Sequence, residues 1–293
     1  MITLRTIAGV RDALAQSRRA GARIGLVPTM GAFHEGHLSL MARARADCDV
    51  VVVSLFVNAP QFNDQADLAA YPRDEARDTE LATAIGVDYL FAPAPELMYP
   101  PGFATSVSID VPVDRLEGRR RGRAHFDGVV TIVTKLFNIV GPEVAYFGQK
   151  DAQQAHVIRR LVRDLDIPVR IEVCPIVREP DGLAMSSRNT RLSKTERTRA
   201  TALHRALMAL ASSVAGGERN PDVAIASARV ELDRDGVQIE YFELVDAETL
   251  APVELIDGSV LALVAAQMGN THLIDNELLS TVTAAGSTNI GSA

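Results

Sequence analysis

Two histidines and two glycines crowd into Pro28-Thr29-Met30-Gly31-Ala32-Phe33-His34-Glu35-Gly36-His37, directly after the apolar run Ile24-Gly25-Leu26-Val27. An apolar run that ends in a glycine-bearing turn predicts a buried strand handing over to a helix. That junction is where α/β proteins hold phosphates, because the first helical N–H groups and the positive end of the helix dipole point outward there. In His-x-Gly-His both imidazoles can face an anion while Gly36, lacking a Cβ, lets it approach the backbone. Neighbouring motifs fail. A Walker A loop needs Lys and Ser/Thr after the second glycine, but His37-Leu38 follows Gly36. A zinc protease needs His-Glu-x-x-His, and His34-Glu35-Gly36-His37 is one residue short with a helix-weakening glycine inside. The dinucleotide Gly-x-Gly-x-x-Gly fingerprint is absent. The bland alternative is that the two imidazoles cap a turn.

Further segments fall at the ends of apolar runs. Asn58-Ala59-Pro60-Gln61-Phe62 follows the second run, so Gln61 is a neutral donor and acceptor at the carboxyl edge of a sheet, where ligands of open α/β sheets collect. Asn-x-Pro is equally a plain turn signal. In Phe147-Gly148-Gln149-Lys150-Asp151-Ala152-Gln153-Gln154, Lys150 offers a point charge to phosphate and Asp151 an N-cap, with Gln154 three residues on along the same helix face. Asp181-Gly182-Leu183-Ala184-Met185-Ser186-Ser187-Arg188-Asn189 joins two hydroxyls to a guanidinium, a set suited to polyphosphate, although a Ser-rich connection before a helix reads similarly. His125-Phe126-Asp127-Gly128 precedes an apolar helix, and Tyr71-Pro72-Arg73 precedes a helix containing Asp78.

Positioning these groups requires a parallel sheet. Strands are expected at Ile24 to Pro28, Val50 to Val57, Val87 to Phe91, Val144 to Phe147 and Val169 to Val173, alternating with helical patterns. Leu38, Met41 and Ala42, and then Val129, Ile132, Val133, Leu136, Phe137 and Val140, recur at helical spacing. Gly141-Pro142 stops the second helix, and a third runs from Asp151 to Leu165. After the turn-rich Arg178-Glu179-Pro180-Asp181-Gly182 a long helix is expected from about Lys194 to Val214, ended by Gly216-Gly217. A shorter helix after Pro221 and a small antiparallel sheet from Val237, Val260 and Thr271 follow. The expectation is a Rossmann-like α/β nucleotide-binding domain over 1–177, a smaller α+β lid domain over 178–282, and a disordered tail over 283–293.

Composition sets outer limits. A chain of 293 residues with 47% hydrophobic and 23% charged residues is an ordinary globular protein of one or two domains. No secretory signal or membrane-length apolar run is visible, so a cytoplasmic location without membrane partners is expected. Cys48 and Cys174 are expected as buried free thiols. A net charge of -7 argues against a nucleic-acid surface, so any phosphate site must be local. The basic run Arg119-Arg120-Arg121-Gly122-Arg123 reads as a solvated loop.

The His-x-Gly-His motif resembles that of the nucleotidylyltransferase superfamily, whose members attack the α-phosphate of a nucleoside triphosphate. Together with Tyr71-Pro72-Arg73, His125-Phe126-x-Gly128-Val129, Phe147-Gly148-x-Lys150-Asp151 and Asp181-Gly182-Leu183-Ala184-Met185-Ser186-Ser187-Arg188-Asn189, from Ile24 to about Asn276, the chain resembles the pantoate:β-alanine ligase (pantothenate synthetase) family. It departs from the family pattern in several places: Asn58-Ala59-Pro60-Gln61-Phe62 for Asn-Pro-x-Gln-Phe, Gln149 for Glu, Arg121-Gly122 for Arg-Pro, and no aromatic after Thr190.

The resemblance implies a two-step ATP-dependent ligation through pantoyl adenylate, releasing pyrophosphate and then AMP, in pantothenate and coenzyme A biosynthesis. It implies that His34, His37, Lys150, Ser186, Ser187 and Arg188 act on the phosphates. Met30, Gly148, Asp151, Val177 and Met185 would complete the ATP site, with Pro28, Met30, Gln61 and Gln154 around pantoate and Asp78 on magnesium. It further implies ATP with Mg as substrate, no tightly bound organic cofactor, and a homodimer. The alternative from the same motif is a nucleotidylyltransferase acting on a phosphorylated acceptor, which would want cations where Gln61 and Gln154 stand.

Overall fold

The computed structural model describes residues 1–110 and 115–281. These form two compact units: Met1–Glu179 with Ala184–Ser187, and Pro180–Leu183 with the residues from Arg188 onward.

The first unit runs β1 (Ile2–Leu4), α1 (Ile7–Arg19), β2 (Ile24–Thr29), α2 (Glu35–Asp47), β3 (Val50–Leu55), α3 (Gln65–Ala69), α4 (Glu75–Ile85), β4 (Tyr89–Phe91), α5 (Pro95–Met98), α6 (Glu117–Val140), β5 (Val144–Gly148), α7 (Ala152–Asp164) and β6 (Arg170–Cys174). The strands form one sheet in the order β1-β4-β3-β2-β5-β6, every neighbour parallel. Continuous apolar strands are what a sheet covered on both faces requires. Successive side chains go to opposite faces: Leu26, Val52 and Ala145 meet Val130, Val133 and Phe137 of α6 on one side. Val27, Val53 and Tyr146 meet Met41 and Ala44 of α2 and Ala82 of α4 on the other. Cys48 and Cys174 are buried free thiols, as expected.

Because all six strands are parallel, their carboxyl ends share one edge. β2 pairs with β3 along its whole length, from Ile24↔Val50 to Thr29↔Leu55, but with β5 only at Gly25↔Val144 and Leu26↔Ala145. Pro28, with no N–H to donate, lies past that pairing. The ends of β2 and β5 therefore part where the strand order reverses, the position at which open α/β sheets form their ligand crevice.

Several expectations need correction. The arginine run is helical: α6 begins at Glu117, well before the apolar stripe that starts at Val129, and is broken at Gly122, whose φ of 67° suits glycine. His125-Phe126-Asp127-Gly128 accordingly lies inside α6. The sheet and its helices also begin earlier than Ile24, with β1 and α1; Thr6 starts α1 by accepting from the Gly9 N–H at 3.0 Å.

In the second unit the expected long helix is two, α8 (Lys194–Ala200) and α9 (Ala202–Ala215), followed by α10 (Pro221–Arg234) and the antiparallel strands β7 (Gln238–Asp246), β8 (Ser259–Met268) and β9 (Thr271–Ser280). Ser193 and Glu196 make a reciprocal cap that starts α8. Leu203, Leu207 and Leu210 of α9 and Leu232 of α10 pack on Val260, Ala262 and Val264 of β8. The tail expected to be disordered lies outside the described residues. Among the described residues no helix is long and apolar enough to cross a membrane.

Candidate active site

The N-terminus of α2 is closed by its own histidines. His34 is the N-cap, with extended backbone, and its Nδ1 accepts from the Gly36 N–H at 3.1 Å; Nδ1 of His37 accepts from the His34 N–H at 3.4 Å. The two rings lie 4.2 Å apart between centroids. Capping and ligand contact, alternatives in the sequence, are compatible: with both Nδ1 atoms accepting, each neutral ring carries its proton on Nε2 and offers a donor there. Burial lowers the pKa of His34 to about 4, assisted by the Lys150 charge, and that of His37 to about 3, assisted by His34. Gly36 has a further reason to be glycine. A Cβ there would lie 2.9 Å from Cε1 and 3.0 Å from Nδ1 of His34, so the imidazole itself requires the bare backbone.

The loop leading into α2 holds Gly31 at φ 90° and Ala32 at φ 56°. A left-handed alanine costs on the order of 1 kcal/mol, and a buried carboxylate secures it. Asp78 of α4 is 1% exposed; its two oxygens accept from the Ala32 N–H at 2.8 Å and the Phe33 N–H at 2.7 Å. A Cβ on Gly31 would come within 3.0 Å of the same carboxylate. The carboxylate marked for magnesium by resemblance is thus engaged with backbone amides beneath the loop. Among the described residues no three His, Cys, Asp or Glu side chains converge as a metal site.

After β3 the chain makes a 3₁₀ turn at Ala59–Gln61. Pro60 fits because the first N–H groups of a turn have no partner to lose. The Gln61 Oε1 accepts from Asn58 Nδ2 at 3.0 Å, and its Nε2 lies 3.1 Å from Met30 Sδ, so residues from the ends of β2 and β3 meet. α6 supports the turn closely: a Cβ on Gly128 would stand 2.9 Å from the Gln61 nitrogen and the Pro60 carbonyl, and His125 Nδ1 is 2.6 Å from the Gln61 carbonyl oxygen.

At the end of β5, after Gly148, Lys150 sits in a 3₁₀ turn, Gln149–Asp151, that runs into α7. Asp151 occupies the N-cap of α7, the expected position, with an exposed side chain that makes no capping bond to the helix. The charges of Lys150 and Asp151 act on both imidazoles, which brings the β5 end to the tip of α2. Gln154 is half-buried in the first turn of α7. Beyond β6 the Met185 N–H donates to the Val177 carbonyl at 2.9 Å and Arg178 bridges Ala184, so Val177 and Met185 are neighbours; the Glu179 charge reaches His34. Ser186 and Ser187 belong to this unit and are half-buried. Arg188 belongs to the second unit, in a 3₁₀ turn. Sequence reasoning passes over Tyr99, whose hydroxyl donates to Asn58 Oδ1 at 2.6 Å. A lone tyrosine in a Pro/Gly stretch carries no motif that would single it out.

The family model described as Pantoate-beta-alanine ligase matches residues 2–278. A pantothenate synthetase of Cereibacter sphaeroides is 51% identical over 274 residues, covering 93% of this chain and 98% of the relative. The crystal structure of pantothenate synthetase from Thermus thermophilus superposes with a TM-score of 0.89 at 43% identity, covering 94% of this chain and 99% of that one. A pantoate-beta-alanine ligase from Francisella tularensis, crystallised with beta-gamma ATP and beta-alanine, gives a TM-score of 0.76 at 32% identity, covering 95% and 97%. With identity of this order sustained across nearly the full length of the chains compared, this chain belongs to the pantoate–beta-alanine ligase family.

Proposed function

We propose that the chain joins pantoate to β-alanine at the expense of ATP, through a pantoyl adenylate formed in the crevice between the carboxyl ends of β2 and β5. One observation supports this above the others: two neutral imidazoles whose Nδ1 atoms are occupied in capping α2 leave two Nε2–H donors, beside Lys150, at a helix N-terminus. The Francisella relative named with beta-gamma ATP and beta-alanine supports the same ligands here.

In the first half-reaction a carboxylate oxygen of pantoate forms a bond to the α-phosphorus as the bond to pyrophosphate breaks. A carboxylate is already ionised at neutral pH, so no base is needed. What the site supplies is alignment and charge stabilisation. His34 and His37 donate to the phosphates, Lys150 adds a full charge, Ser186 and Ser187 add hydroxyls, and the family resemblance assigns Arg188 to the same anion. Gln61 and Gln154 take the pantoate oxygens, with Pro28 and Met30 lining the pocket. Gly148 and Asp151 meet the ribose, and Val177 and Met185 the adenine. In the second half-reaction the β-alanine amine, having lost its proton, attacks the acyl carbon; the acyl–oxygen bond breaks and AMP leaves with the electron pair.

Magnesium would arrive with the triphosphate; Asp78, buried and bonded to two amides, does not fit as its ligand. The homodimer is part of the proposal, carried by family resemblance and checked by solution mass. The neutral partners of Gln61 disfavour a phosphorylated acceptor, since its hydrogen-bonding neighbours are Asn58 and Met30 rather than cations. The deciding experiment is exchange of labelled pyrophosphate into ATP without β-alanine. Exchange that requires pantoate is expected; exchange without pantoate, or none with it, overturns the two-step reading.

A further inference from the structure

Gln61 can present either end of its amide to the crevice, and the two ends have opposite hydrogen-bonding character. The structure selects one. Its Oε1 is engaged by Asn58 Nδ2 at 3.0 Å, which leaves Nε2 on the Met30 side. Asn58 is itself 1% exposed, and its orientation is held from two directions: Nδ2 also donates to the Gly128 carbonyl at 3.0 Å, while Oδ1 accepts from the Tyr99 hydroxyl at 2.6 Å. Tyr99 is in turn held by its ring. It lies 6.2 Å from Phe56 and stands edge-on to Phe103 at 5.2 Å, with Lys135 Nζ 5.9 Å from its own centroid. Burial pushes the phenol up to about 12, so it remains a protonated donor at any working pH.

We propose that Tyr99, distant in sequence from every motif of the site, is a positioning residue for recognition of the acid substrate: through Asn58 it fixes the Gln61 amide so that Nε2 lies on the Met30 side, with one N–H given to Met30 Sδ and the other left for the crevice. A donor there suits a carboxylate or hydroxyl oxygen, whereas an inverted amide would present a carbonyl oxygen to it. Removing only the hydroxyl leaves Asn58 Oδ1 buried without its donor, and the Asn58–Gln61 pair loses one of the two contacts that set its direction. The inference rests on the reading of Gln61 as a pantoate contact.

The test compares the parent with Tyr99→Phe, Gln61→Ala and the double variant, measuring AMP release at varied pantoate and at varied ATP. Tyr99→Phe keeps the ring packing, and its Tm is measured alongside. The expected result is a pantoate KM raised roughly fivefold in Tyr99→Phe with ATP KM unchanged, a larger rise in Gln61→Ala, and a double variant no worse than Gln61→Ala. Additive effects in the double variant, equal rises in both KM values, or an unchanged pantoate KM in Tyr99→Phe while Gln61→Ala raises it, each overturn the positioning role. A pantoate KM unchanged by Gln61→Ala overturns instead the assignment of Gln61 to pantoate, and the role of Tyr99 with it.

Discussion

Replacing Asp78 separates a loop anchor from a metal ligand. Its two oxygens accept from the Ala32 and Phe33 N–H groups at 2.8 and 2.7 Å, in a position only 1% exposed. Hydrogen bonds to a charged group contribute about 1.5–3 kcal/mol each, and both amides would be left buried without an acceptor in Asp78→Ala, so a loss of roughly 3–5 kcal/mol is expected. Asp78→Asn keeps one acceptor but turns an NH2 group toward the other amide, which predicts a loss of about 2 kcal/mol. Either is a large share of the ~5–15 kcal/mol that holds a domain together. Urea unfolding followed by circular dichroism measures the loss, and pyrophosphate exchange at graded magnesium measures the site. The Asn variant should unfold earlier, exchange more slowly because the loop before His34 is loosened, and keep the parent's magnesium dependence. An Asn variant as stable as the parent but needing more magnesium would refute the anchor and restore the metal contact.

Other perturbations follow from the same geometry. His37→Ala and Lys150→Ala should each slow pyrophosphate exchange roughly a hundredfold or more, the ~3 kcal/mol expected for one preorganised contact to developing charge; His37→Ala should also lower Tm, because it removes the acceptor for the His34 N–H at the start of α2, and near-normal exchange in both would place the phosphates elsewhere. Gly36→Ala should behave like a His34 variant in exchange assays, because its Cβ would press on the His34 ring at 2.9 Å; parent-like rates would show that the ring can move away without consequence. The two histidines titrate at about 4 and about 3 in the folded chain, against ~6.5 when unfolded. The unfolded chain therefore binds protons first, and the stability these residues provide, fully present above pH ~6.5, should be lost as pH falls below it and on toward about 3. Thermal melts across that range should show the decline and His34→Gln/His37→Gln should flatten it; an unchanged slope in the double variant would mean that the imidazoles are not buried as neutral rings.

The parallel sheet is legible in the sequence because its strands are uninterrupted apolar runs, and a run buried on both faces needs no partner to be recognised. The site segments are legible for a related reason. Several lie just beyond a strand's carboxyl end, so parallel pairing alone sends Met30, Gln61, Lys150 and Val177 to one edge; the Ser186-Ser187 segment, farther past β6, is legible only by its residue types. The start of α6 is not legible, since Glu117 to Ala124 shows no apolar stripe; what makes it a helix is its continuation into Val129–Val140 and a glycine able to take the break.

Roles set by which group meets which are decided only in three dimensions. Nothing in the order of residues says that Asp78, forty-six positions from Ala32, turns both oxygens to the loop amides rather than outward, or that Tyr99 reaches Asn58 across forty-one. Nor does the motif His34-x-Gly36-His37 reveal that its glycine makes room for the imidazole itself, or that the rings cap the helix and remain donors at once. Local sequence encodes backbone preference and the periodicity of burial, which act between near neighbours. The direction of a hydrogen bond from a buried side chain depends on which donors and acceptors the packed sheet and helices leave around it, and those come from distant parts of the chain.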